Sequence, residues 1–126
     1  MTENLVKVQK FFGERMGDDI VFLSITIDSD KDDPEALTDY RRYPVNDWTG
    51  WYHLTGDYDE IETLRWVLGA YDLDPEVDAD KTEHAGIVTF GNDKTNWWAA
   101  VPAMIDPKEV ADAIIRIAGN PRTQPR

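Results

Sequence analysis

An α/β layered domain is the fold class that this 126-residue sequence predicts, and three observations predict it. Residues 20–27, "IVFLSITI", are almost continuously apolar and β-rich, as in a parallel strand covered by helices on both faces. Helical stripes and strand-like runs alternate along the chain. Finally, "AGIVTF" and "NWWAAVPA" flank "GNDK" as the arms of a hairpin, and a helix follows. The resulting order is α-β-α-β-α-β-β-α.

Each element has its own warrant. Residues 2–16 form the first helix: Thr2 caps it, Leu5, Val8, Phe12 and Met16 make its apolar stripe, and "MGDD" ends it. The strand over 20–27 is broken by "DSDKDDP", where Asp33 as N-cap and Pro34 as first helical residue open a helix running through Tyr43. "GWYHLTG", residues 50–56, is a short strand. Asp57 and Glu60 have capping-box spacing before a third helix with Ile61, Leu64, Leu68 and Tyr71 on one side. "DLDPEVDADKTE" is an acidic, solvated loop. After the hairpin, Asp106, Pro107 and Glu109 start the last helix, Val110, Ile114 and Ile117 face the core, and Gly119 and Pro121 stop it. An antiparallel hairpin followed by a helix is the second half of a thioredoxin-like layout. No repeat or low-complexity linker interrupts the chain, so residues 1–120 read as a single domain and 121–126 as a loose tail.

Composition narrows the function. Hydrophobic residues make up 41% of the chain and include five Trp, enough for a core. The net charge is −12, with 25 acids against 13 bases, which disfavours nucleic acid and anionic membranes as partners. A basic protein or a cation is compatible, although solubility alone explains such a charge. With no cysteine in these residues, disulfides, thiolate metal sites and cysteine nucleophiles are excluded from them, and thiol redox catalysis with them. No apolar run approaches the ~20 residues that span a bilayer. The charged opening is not a signal peptide, so the chain as encoded is expected in the cytoplasm.

Few residues carry chemistry. His84 ends a charged run directly before an apolar strand, where a loop residue is held rigidly at a sheet end. Asp78, Asp80 and Glu83 lie near enough in sequence to help it hold a divalent ion, but one imidazole is not a constellation. Ordering of a loop by hydrogen bonding is the favoured role for His84. "DSDKDD", residues 28–33, places Asp28, Asp30 and Asp32 like the start of a calcium loop, yet the turning glycine is replaced by Asp33, so a turn with an N-cap is the expected outcome. His53 is expected on a strand surface without chemistry. Trp97 and Trp98 point to opposite strand faces, one expected in the core and the other under a helix or at an interface. No glycine-rich phosphate loop and no Ser-His-Asp pairing can be argued.

Four segments in order resemble the Sco/SenC family. "VFLSITIDSDKDDPEAL" is similar to its strand, acidic turn and helix start. "GWYHLTGDYDEIETL" resembles its W-x-x-LTG segment, "EHAGIVTFGND" its histidine-containing strand entry, and "TENLVKVQKFF" the helix that directly follows its CxxxCP loop. The resemblance implies a thioredoxin-like fold, usually membrane-tethered outside the cytoplasm. It also implies copper delivery in cytochrome c oxidase assembly or an electron-transfer role. The family's copper site uses the two cysteines of CxxxC and one histidine, and His84 occupies that histidine's position.

Both cysteine positions, and the strands expected before them, fall outside these residues, so the sequence reads as an N-terminally truncated member. His84 is then a vestigial copper-ligand position. No cofactor is expected in the chain itself, copper being the family's. The chain is expected to be non-enzymatic, without tight copper binding. The alternatives are an acidic protein-interaction module reusing the scaffold and a weak divalent-metal binder at His84. The missing strands leave apolar strand edges open, which predicts a homodimer built on residues 20–27, the first helix and Trp97 or Trp98.

Overall fold

The computed structural model describes residues 2–42, 45–79 and 86–118. Along the chain lie α1 (Thr2–Lys10), a 3-10 turn (Gly13–Arg15), β1 (Phe22–Ile25), α2 (Pro34–Tyr40), β2 (Trp51–Leu54), α3 (Tyr58–Leu68), α4 (Pro75–Ala79), β3 (Ile87–Asn92), β4 (Trp97–Pro102) and α5 (Pro107–Ala118). The fold class is mixed α/β, consistent with a thioredoxin-like domain. The expected elements are all present, with the 3-10 turn and α4 in addition. The strands form two two-stranded sheets, β1–β2 and β3–β4. The chain divides into two compact units, Met1–Arg15 with Ala85–Arg126, and Met16–His84.

In the first unit α1 is shorter than its apolar stripe suggested. Phe11 and Phe12 donate to Val8 and Gln9, the tighter i to i−3 pattern of a closing turn, and Gly13 takes φ +51°. Asn4 Nδ2 then donates to the Ala103 and Ile105 carbonyls, tying α1 to the approach to α5. Asp106 Oδ1 accepts from the Lys108 N–H at 2.8 Å, as expected of the α5 cap. Val8, Phe12, Ala103, Val110, Ala111 and Ile114 form the buried core of this unit. The β3–β4 hairpin is antiparallel, with Gly91 opposite Trp98 and Asn92 opposite Trp97. Contrary to expectation neither Trp97 nor Trp98 enters the core; they are 63% and 56% exposed. The Trp98 ring lies over Gly91 instead, so close that a Cβ there would meet it at 2.2 Å. Residues 119–126, including Gly119, Pro121 and the expected tail, lie outside the described residues.

In the second unit β1 and β2 run parallel, pairing Phe22 with Trp51, Leu23 with Tyr52, Ser24 with His53 and Ile25 with Leu54. Gly50 lies against Gly17 so tightly that a Cβ would sit 2.2 Å from the Gly17 nitrogen. That contact and a φ of +72° require glycine there. β1 spans half of the apolar run and is covered on one face only, which corrects the expectation of burial on both. Phe22 and Ser24 meet fully buried Trp51, by an edge-on ring contact at 5.2 Å and by a Trp51 Nε1 to Ser24 Oγ hydrogen bond at 2.9 Å. On the other face Val21, Leu23, Tyr52 and Leu54 stay 52%, 57%, 51% and 40% exposed. The side-chain period of two explains the split: positions 22 and 24 and their partners face the rings, and the alternate positions face away.

The helices of this unit begin and end on local signals. Asp33 accepts from the Ala36 N–H at 2.8 Å with Pro34 at the first helical position, as expected. α2 stops at Tyr40; Tyr43, where it was expected to end, lies outside the described residues. Asp57 occupies the cap position of α3 but its side chain makes no capping bond, so the capping box is not formed. The helix closes there through its backbone, with the Ile61 N–H on the Asp57 carbonyl at 3.0 Å. Gly69, in the left-handed region, ends α3, which leaves Tyr71 beyond the helix and stacked on Trp66 at 4.5 Å. The acidic stretch after it is not all loop. Asp72 and Asp74 carboxylates accept from the Asp74 and Glu76 N–H groups, Pro75 follows, and α4 forms. α4 carries Asp78 to Arg65, which is only 4% exposed. The guanidinium donates to both Glu62 oxygens at 2.8 and 3.0 Å, to Asp78 Oδ1, and through Nε to the Ala70 carbonyl.

Candidate functional site

His84, the position singled out for metal chemistry, lies outside the described residues, as do Asp80 and Glu83. Asp78, the remaining acid of that group, accepts from Arg65 and from the Asp72 N–H, so it is committed to holding α4 in place. The acidic turn is likewise committed to the backbone. Thr26 Oγ1 donates to Asp32 Oδ2 at 2.5 Å and accepts from the Asp28 N–H at 3.0 Å. The Asp28 carbonyl accepts from Asp32, and Asp33 caps α2. These are the turn and cap that the sequence suggested. Among the described residues, no group of three or more His, Cys, Asp or Glu is placed to hold a metal ion.

A different histidine is set in a built environment. His53 lies on the same face of β2 as Trp51, its ring stacked on the Trp51 ring at 5.9 Å and 9° between planes. Trp48 meets it edge-on at 5.0 Å, and the Tyr40 ring lies 5.7 Å away. Arg41 closes the cluster: it sits 5.5 Å over Trp48, donates to the Trp51 carbonyl at 3.3 Å, and its own carbonyl accepts from Trp48 Nε1 at 2.8 Å. Both His53 ring nitrogens are shielded from solvent and neither has a hydrogen-bond partner among the described residues. Burial first, and then the Arg41 charge, hold the ring below the ordinary histidine value of 6.5. The expectation of an inert surface histidine is corrected here. The signal was available: in "WYHL" residues 51 and 53 share a strand face, so a buried Trp51 implies a half-buried His53.

Residues 1–119 match the SCO1/SenC family model. The chain belongs to the SCO1/SenC family. No curated protein and no solved structure matches it. Membership supports a copper-chaperone-like role in general. Cu(I) prefers soft sulfur ligands, and no cysteine lies among the described residues of this SCO1/SenC chain. Met16 is buried, Met104 is on the surface, and His53 is enclosed by rings. No helix among them is long and apolar enough to cross a membrane.

Proposed function

We propose that this SCO1/SenC chain acts as a non-enzymatic scaffold of copper-chaperone type. In this reading it works by association with a second copy and with protein partners, without holding copper tightly or cycling thiols itself. Residues 1–120 are read as one functional module and His84 as a vestigial ligand position. The observation that carries this is the exposed apolar face of the β1–β2 sheet. Parallel sheets are ordinarily covered on both sides, and an uncovered apolar face is an interaction surface. β1 adds an open edge free of charge and proline, since "FLSI" pairs with β2 alone among the described strands. We assign these as the homodimer interface.

The copper half of the proposal has a direct test. Titrated with Cu(I) against a competing chelator, the chain is expected to release essentially all metal to the chelator, because no thiolate is available. Tight stoichiometric binding that disappears in His84→Ala would overturn this and make His84 a working ligand. Weak Zn(II) binding lost in the same variant would favour the divalent-metal reading.

A further inference from the structure

The docking of α2 is thin. None of its seven residues is buried, and it rests on β2 beside the Tyr40, Arg41, Trp48 and His53 cluster. A helix so held has a local opening free energy well below that of the core. Within the cluster, His53 alone changes charge at mildly acidic pH. Its ring nitrogens are shielded from solvent and have no hydrogen-bond partner among the described residues, so a proton taken up in the closed state would bring a charge with no protein acceptor. The charge would also sit beside Arg41. Of the other charged groups of the elements around the ring, Glu35 is exposed in the first turn of α2, Asp39 of α2 pairs with Arg42 just beyond the helix, and Asp47 accepts from Thr49 in the loop that carries Trp48. β1 contributes only the Ser24 hydroxyl, which accepts from Trp51.

We propose that His53 is a proton-operated latch: the neutral ring holds α2 on β2, and acidification releases it. Opening exposes a ring nitrogen to water, a proton from solvent binds there, and the imidazolium stays hydrated in the open state. The sign follows from linkage. The closed state disfavours the proton, so its stability relative to the open state is fully present above about 6.5, the free histidine value, and falls as pH drops below it. Each unit by which the closed-state value lies below the free one lowers the ratio of closed to open chains by up to about tenfold.

Two measurements test this on the full chain. In His84→Ala, which leaves His53 as the single histidine, the ring is followed by NMR through pH 8 to 4.5. It is expected to titrate below 6.5; titration at or above 6.5 overturns the proposal. Hydrogen exchange of residues 34–41, corrected for the intrinsic pH dependence, is compared at pH 7.5 and 5.5, with α5 as internal reference. Protection of α2 is expected to fall several-fold relative to α5 in the wild type and to stay level in His53→Phe, which keeps a ring without a titrating group. Equal loss in both chains, or none in the wild type, overturns the latch. Should His53→Phe fail to fold, the titration and the wild-type exchange still decide.

Discussion

Replacing Trp51 with Ala is expected to destabilise the chain by about 3–5 kcal/mol, the largest effect of any single core truncation here. Trp51 is fully buried and is the centre of its unit's aromatic packing. Phe22 and Trp48 meet its ring edge-on at 5.2 and 4.9 Å, His53 stacks on it, and Nε1 donates to Ser24. Truncation leaves a cavity between β1, β2 and the Trp48 loop that these rings cannot fill without leaving their rotamers. It also strips His53 of its stacking partner. Trp97→Ala is the control, since that ring is 63% exposed, and about 0.5 kcal/mol is expected for it. Equilibrium urea unfolding of the two variants separates them. Equal costs would mean that Trp51 is not the core residue of this unit.

Arg65→Met is expected to cost about 2–4 kcal/mol. Breaking a buried ion pair by removing one partner ordinarily costs about 3–5 kcal/mol, because the remaining charge is left uncompensated. Here Glu62 and Asp78 keep 31% and 25% side-chain exposure, so water takes up part of the loss. Burial by itself would lower the Arg65 value, and the Glu62 bond and charge with those of Asp78 more than offset it, so the group stays firmly cationic. The variant should also loosen α4, which reaches α3 through Asp78. Glu62→Ala retains the Asp78 pairing and is expected to cost less than half as much. A urea series in which Glu62→Ala equals or exceeds Arg65→Met would contradict this division of roles.

Sequence reasoning succeeded where a signal was local. Asp33 with Pro34, Asp106 with Pro107, and "GNDK" between two apolar runs specify their caps and turn within a few residues, and the structure has them. It failed where a distant partner decides. "IVFLSITI" reads as doubly covered because apolar composition reports the capacity for burial, whereas cover comes from elements elsewhere in the chain or in another one. Arg65 escaped notice because a single cation in an amphipathic helix looks solvated until Asp78, thirteen residues on, is brought against it. The α4 turn was hidden for the same reason: its acids look like solvated charge, yet they cap and anchor. Of the candidate site, the family was legible from four ordered segments, and residues 1–119 match its model. His53 was legible only through strand alternation, and its unpartnered nitrogens were not legible at all.

We assign the bare face formed by Val21, Leu23, Tyr52 and Leu54, with the open β1 edge, as an assembly surface. Light scattering after size exclusion, across a dilution series, tests it most directly. A mass of two 14.4 kDa chains is expected at high concentration. Association should strengthen with added salt, because each copy carries a net charge of −12 and screening relieves the repulsion. Leu23→Lys should abolish it while leaving the fold intact, since that side chain already faces solvent. A folded, soluble monomer of 14.4 kDa at every concentration and salt level would contradict the claim.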